Sequence, residues 1–291
     1  MRIRKVTWYN IYIPDSCCCV RFSHELNRVR GIYNRAQESL TETIRPNAAT
    51  TSLIHAARAE LVSFLGLDSD HPAPVDQYQG IHVRRGDVMG RSWKYHGKNV
   101  PVEAYASASN AAWNRLFRPT GNSAPQAVYL ASDDPDVFEE LQSQLEPGSR
   151  IFSLAKSTNT DLSKIASPAP YFQNEFAALP EADRVQLTKG MIVDFALLSG
   201  LWAWDNDPKP GAVICGIAYA SPLLVCHSSA HIPISRSTVC KLSAVALDWD
   251  RAFGYGFGGD SIGYVNQEHA RWIEVDEKGN ISPEWKAFQL F

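Results

Sequence analysis

The chain lacks any run of eighteen apolar residues, so no stretch of it reads as a transmembrane helix. It also lacks a dominant charge. Lys and Arg total 28 against 31 Asp and Glu, a formal net charge of −3, which does not suggest a general nucleic-acid surface. None of its 6 cysteines forms a CxxC pair, which argues against a zinc site. Cys17, Cys18 and Cys19 are contiguous, and Cys215, Cys226 and Cys240 stand alone. The contiguous trio has two readings, a palmitoylation site or part of a loosely ordered tail. No G-x-G-x-x-G follows a strand at the start of a βαβ unit: the glycines of Phe253–Gly259 follow no clear strand and read as a flexible turn. The start, Met1-Arg2-Ile3-Arg4-Lys5, is basic. The apolar stretch behind it is short and interrupted by Asn10, which makes a poor signal peptide.

What is present suits a globular α/β protein. The 291 residues, 45% of them hydrophobic, suffice for one large domain or two small ones. Residues 1–24 show no periodicity and read as a poorly structured tail, with residues 25–75 a helical lead-in. Leu26, Val29, Ile32, Tyr33, Ala36 and Leu40 have helical spacing, and Pro46 ends that element. A second helix carries Leu53, Ile54, Ala57, Leu61, Phe64 and Leu65, with Thr50 or Thr51 as its expected cap and Gly66 as its stop. From residue 76 onward, apolar strands at Ile81–Val83, Val128–Ala131, Ile151–Ser153 and Ala212–Cys215 alternate with helical patterns. That order predicts a parallel sheet covered by helices, a Rossmann-like arrangement. Ser157–Leu179 reads as a long polar loop, Arg184–Trp204 as a largely helical stretch, and Ser237–Leu247 as a helix after a turn. Near the end, Trp272–Glu274 reads as a short strand, Gly279-Asn280 as a turn and Pro283–Phe291 as a terminal helix.

The densest chemistry lies in Gln79-Gly80-Ile81-His82-Val83-Arg84-Arg85-Gly86-Asp87. Ile81 and Val83 alternate with His82 and Arg84, the period of a strand, and a polar cluster closes it. Ligands of open α/β sheets bind beyond the carboxyl ends of strands. Adjacent guanidinium groups are permanent forks of donors suited to a pyrophosphate, and Asp87 can hold one of them in place. The competing reading is a surface strand end with an Arg–Asp ion pair.

His-Val-Arg-Arg-x-Asp resembles the first signature of the α1,6-fucosyltransferases and related fucosyltransferases. Three further pieces occur in the same order. Tyr33–Gln37 through Ile44-Arg45-Pro46-Asn47 looks like the helix and turn upstream of that signature. Val128-Tyr129-Leu130-Ala131-Ser132-Asp133-Asp134-Pro135 looks like the family's strand ending in paired aspartates. Gly190-Met191-Ile192-Val193-Asp194, then Ser237-Thr238-Val239-Cys240-Lys241-Leu242, resemble its last two signatures. The likeness runs from about Tyr33 to Leu247.

The resemblance implies the nucleotide-binding half of a B-type glycosyltransferase, with GDP-fucose as donor, a glycan or glycoprotein as acceptor, no metal or other cofactor, and the Golgi lumen as location. Arg84 and Arg85 are then expected to stabilise charge on the departing pyrophosphate. Asp194 is expected to accept hydrogen bonds from guanine, and the alternative is a carboxylate on a solvated helix face. Asp133 and Asp134 would orient the arginines or the ligand, or cap a helix. Ser237 and Thr238 would sit where a helix N-terminus meets the diphosphate, or serve as a plain cap. His82 and Asp87 complete the expected donor site.

Several departures qualify the match. Val88 stands where the family has lysine, and an ungapped match puts Ser92 where it has the acidic residue proposed as acceptor base. Glu103 is the first acidic residue after Asp87, but it belongs to the next helix pattern. Residues 217–235 intervene where family members pass almost directly from strand to turn. With Pro222, Pro233, His227 and His231, this segment reads as a loop or as translated intron-like sequence, without a core role. Asp205-Asn206-Asp207 has the spacing of a metal motif but reads better as a cap and turn. The acceptor-side half expected of the family is not visible. A catalytically silent nucleotide-sugar-binding relative, or a truncated fragment, is therefore the alternative expectation.

Overall fold

The computed structural model describes residues 23–66, 76–86, 100–120, 125–170, 172–204, 206–219, 233–235, 238–254, 265–276 and 279–281. The expected terminal helix at Pro283–Phe291, the tail before Ser23 and most of the glycine-rich stretch after Gly254 lie outside them.

Helix α1 (Ser23–Glu38) runs into a single π-turn, Ser39–Thr43, and α2 (Ala48–Leu65) follows. The cap of α2 is Asn47, not Thr50 or Thr51. Its side chain accepts from the Thr50 amide at 2.9 Å, because Pro46 keeps the chain extended until Asn47. Gly66, at φ 68°, ends α2 in the left-handed conformation.

Five strands form a parallel sheet in the order β3-β2-β1-β4-β6: β1 (Tyr78–Val83), β2 (Ala127–Ser132), β3 (Arg150–Phe152), β4 (Pro210–Tyr219) and β6 (Trp272–Asp276). The four strands expected to be neighbours are neighbours. The short strand read from sequence at Trp272–Glu274 extends to Asp276 and is the fifth member. Gly279-Asn280, read as a turn, falls in β7 (Gly279–Ile281), antiparallel to β6. The chain leaves β1 through α3 (Val102–Leu116) to β2, then through α4 (Val137–Gln144) to β3. It returns to the other side of β1 by way of α7 (Glu181–Ser199) and enters β4. This is the doubly wound α/β arrangement, and its reversal of direction lies between β1 and β4.

Residue alternation along β1 sorts the two faces. Gln79 meets α3, where its amide donates to the Ser109 carbonyl at 3.1 Å. Tyr78 and Gly80 meet α7: the Tyr78 hydroxyl donates to the Leu197 carbonyl at 2.6 Å, and Leu198 crowds Gly80. Two short helices, α5 (Thr160–Ile165) and α6 (Gln173–Phe176), occupy the stretch read as a long loop. They escape the sequence reading because each is only one or two turns long. Asn159, which accepts from the Asp161 amide at 2.9 Å, starts the first of them.

The lead-in helices belong to the layer over β4 and α7. Tyr33 of α1 is fully buried and donates to the Ala244 carbonyl in α8 (Thr238–Ala246) at 2.7 Å. Its ring meets Trp249 of α9 (Trp249–Phe253) edge-on, with centroids 5.1 Å apart. Arg58 of α2, 1% exposed, donates to the carbonyls of Ala196 and Leu201. Together with Tyr78 it donates to backbone oxygens at and just beyond the end of α7.

Beyond Gly216, β4 continues to Tyr219 and pairs antiparallel with β5 (Pro233–Ser235). The ends of the 217–235 excursion are therefore part of the sheet's margin rather than a detached loop. Its middle lies outside the described residues.

Candidate functional site

A cavity of about 320 Å³ opens beyond the carboxyl ends of β1 and β2. Six separated segments contribute to it, among them Ile165 and Ser167 at and after the end of α5 and Phe176 of α6. His82 and Arg84 come from the end of β1, Ser132 and Asp133 from the end of β2, Gly190, Met191 and Asp194 from α7, and Val239 from α8. The size is that of a small-molecule pocket, and most of its remaining wall is apolar.

The arginine pair does not act as a pair. Arg84 lines the cavity. Arg85 is held by Glu140 of α4 through two bonds of 2.8 and 2.5 Å, with Asp134 at 3.6 Å. A bidentate guanidinium–carboxylate contact of this kind fixes the side chain firmly. The paired aspartates also divide their work. Asp133 accepts from the backbone amides of Arg85 at 2.8 Å and Gly86 at 3.1 Å, so it shapes the turn that presents Arg84. Burial pushes its carboxyl up, and those two amides push back. Asp134 accepts from the Asp136 amide at 3.0 Å, an Asx-type turn entering α4.

Two polar groupings face the cavity. At one, burial first and then Arg84 hold the His82 imidazole down at about 4, so it is neutral near pH 7. A neutral imidazole offers one donor and one acceptor. At the other, Asp194 accepts from the Tyr129 hydroxyl at 2.5 Å. Burial pushes the Asp194 carboxyl up to about 7, with the tyrosine bond opposing the rise. The influence of Arg84 reaches His82 and Asp133, whereas Asp194 answers to burial and Tyr129.

Gly190 has a steric reason for its place. A Cβ there would lie 2.0 Å from the Ile165 carbonyl oxygen, which belongs to backbone and has little room to move. Gly190→Ala should therefore destabilise the fold by about 1–3 kcal/mol, measured by urea unfolding. An unchanged midpoint would mean that the α5–α7 contact is loose.

Thr238 begins α8 and is exposed. Asp87 and Ser237 lie outside the described residues. Asp207 accepts from the Trp204 amide at 2.9 Å and lies 3.6 Å from Arg58, so that residue serves a turn and an ion pair. Among the described residues no group of His, Cys, Asp and Glu is arranged to hold a metal ion, and no helix is long and apolar enough to cross a membrane.

A disulfide joins Cys215 in β4 to Cys240 in α8, with Cα atoms 6.0 Å apart. Cys215 sits beside His82 in the strand register, and Cys240 follows the cavity residue Val239. The bond therefore fastens α8 to the sheet at the cavity's edge, across the whole excursion. Read from sequence these cysteines stand alone, because 25 positions separate them.

Fold and site together define a doubly wound α/β protein with a ligand-sized cavity at the carboxyl edge of its sheet. No protein-family model matches the chain, and no curated protein matches it.

Proposed function

We propose that the chain binds a GDP-sugar in this cavity and belongs functionally with the fucosyltransferases, moving fucose from GDP-fucose to a hydroxyl of a glycan or glycoprotein. The observation that carries the reading is the convergence of six sequence-distant segments on one cavity that Arg84, His82 and Asp194 all line. A nucleoside diphosphate has groups to match each of them. Its diphosphate suits Arg84 and the neutral His82, and the N–H edge of a guanine suits Asp194. In the reaction the bond from the sugar's anomeric carbon to the phosphate oxygen breaks, and a bond to the acceptor oxygen forms on the opposite face. The acceptor's proton leaves to a base, and GDP departs with charge that Arg84 stabilises. Arg85 supports this indirectly by tying the turn after β1 to α4.

One observation favours a second reading, nucleotide-sugar binding without transfer. Inverting transfer needs a base within hydrogen-bond reach of the attacking hydroxyl. The carboxylates among the described cavity residues are Asp133 and Asp194, and each already accepts hydrogen bonds. Glu103 is exposed in the first turn of α3.

Calorimetry with GDP, followed by GDP-fucose turnover on an N-glycan acceptor, tests both readings. Arg84→Lys keeps the charge but loses the planar fork, so GDP should bind about tenfold more weakly. Binding with turnover supports transfer, and binding without turnover supports the second reading. Wild-type protein that ignores GDP overturns both. A silent Arg84→Lys removes the phosphate assignment.

A further inference from the structure

A second, smaller chamber of about 30 Å³ adjoins the main cavity, and the two share Ser132, Ser167 and Asp194 in their walls. Its wall also includes Ser153, just beyond β3, and Asp134. Ser153 is 6% exposed, and its hydroxyl is buried without a hydrogen-bond partner among the described residues. Buried polar groups are almost always satisfied, so such a hydroxyl calls for an explanation. The chamber is too small for a ring. It has room for one small polar substituent, since a water needs roughly 10–15 Å³ by the same measure.

We propose that this chamber, with Ser153 as its acceptor, receives the exocyclic 2-amino group of a guanine whose N–H edge rests on Asp194, and so sets base specificity. The proposal rests on the GDP-sugar reading above. A guanine edge presents one ring N–H and an amino group with two hydrogens. The Asp194 carboxylate can take the ring hydrogen and one amino hydrogen. The second amino hydrogen then points past Asp194 and would be buried unsatisfied. Ser153 holds the complementary deficit, a buried hydroxyl oxygen with free acceptor capacity. The amino hydrogen and the hydroxyl oxygen pair as donor and acceptor, and the position of Asp194 in both walls puts the amino group at the junction. Ser153 would thus be a specificity-determining residue, remote in sequence from all the motif-like segments that line the main cavity.

The test is a ratio of affinities. Inosine diphosphate differs from guanosine diphosphate only by lacking the 2-amino group. Calorimetry on the full chain compares both ligands with wild type, Ser153→Ala and Ser153→Val. Wild type should prefer the guanine nucleotide. Ser153→Ala removes the acceptor and should weaken guanosine diphosphate about tenfold, with inosine diphosphate unchanged. Ser153→Val fills the chamber and should bring the two ligands to parity. Undiminished inosine diphosphate binding shows that each variant is folded. If guanosine diphosphate keeps its advantage in both variants, the chamber holds only water and the proposal is wrong, while the reading of the main cavity stands. If wild type binds neither nucleotide, that reading falls and the proposal falls with it.

Discussion

Asp194→Asn should make the protein more stable at pH 8 while it weakens discrimination between GDP and ADP. The stability effect follows from the carboxyl's burial. In the unfolded chain Asp194 titrates near its ordinary 3.8, and in the folded protein burial pushes it up to about 7. A folded-state value above the unfolded one contributes stability that is fully present below about pH 4 and is lost as pH rises through 7. The residue is half-buried rather than sealed, which tempers the loss, so about 2–4 kcal/mol is expected above pH 7. Asparagine carries no charge to bury and can still accept from Tyr129, so the variant regains that amount. The acid side has the opposite sign. His82 has its folded value lowered from 6.5 to about 4, so its contribution is lost as pH falls from 6.5 toward 4. In wild type the two slopes oppose each other over that window. In Asp194→Asn the histidine slope stands alone, and stability should fall on acidification more steeply than in wild type. Guanidinium unfolding of both proteins between pH 4 and 8 checks this. A pH-independent difference between them would show that the Asp194 carboxyl titrates normally. A carboxylate retained at a cost to stability beside a cavity is what a binding role predicts.

Cys240→Ser is expected to cost about 3–4 kcal/mol, from the loop entropy released when a 25-residue separation is no longer closed. The folded state suffers as well. Both cysteines are buried, Cys215 fully and Cys240 at 1% exposure, and α8 brings Val239 to the cavity wall. Thermal melts with and without reductant should separate by several degrees for wild type and coincide for the variant. GDP affinity should fall with the loss of the bond, because the start of α8 is no longer fixed to β4. Coincident wild-type melts would show that the bond contributes nothing to stability.

Much of the architecture was legible in the sequence because strands and helices announce themselves locally. Ile81 and Val83, the apolar run Val128–Ala131 and the run Ala212–Cys215 each carry a strand's pattern within a few residues. Their alternation with helical spacing then restricts the sheet to a parallel one. Short elements were lost for the same reason. Helices α5 and α6 span 6 and 4 residues, too few for a period to show, and β7 is only 3 residues long. The cap of α2 lies three or four positions before Thr50 and Thr51 because Asn and Thr are both competent caps, and only the backbone angle at Asn47 selects one.

The candidate site divides along the same line. The sequence by itself determined which residue types stand at the strand ends: His82, Arg84, Arg85, Asp133 and Asp134, with Asp194 in an apolar helix. It could not say which way each side chain turns. Arg84 and Arg85 are neighbours in the chain, yet one lines the cavity and the other is held by Glu140, 55 residues away. Tyr129 meets Asp194 across 65 residues, and Cys215 meets Cys240 across 25. Ser153 carries no local signal at all, and only its place beside the Asp194 chamber makes it a candidate. Those pairings are fixed by strand order and by the packing of α4, α7 and α8 on the sheet. Contacts between distant residues depend on how elements stack, and a periodic pattern records only which face is buried, never what it will be buried against.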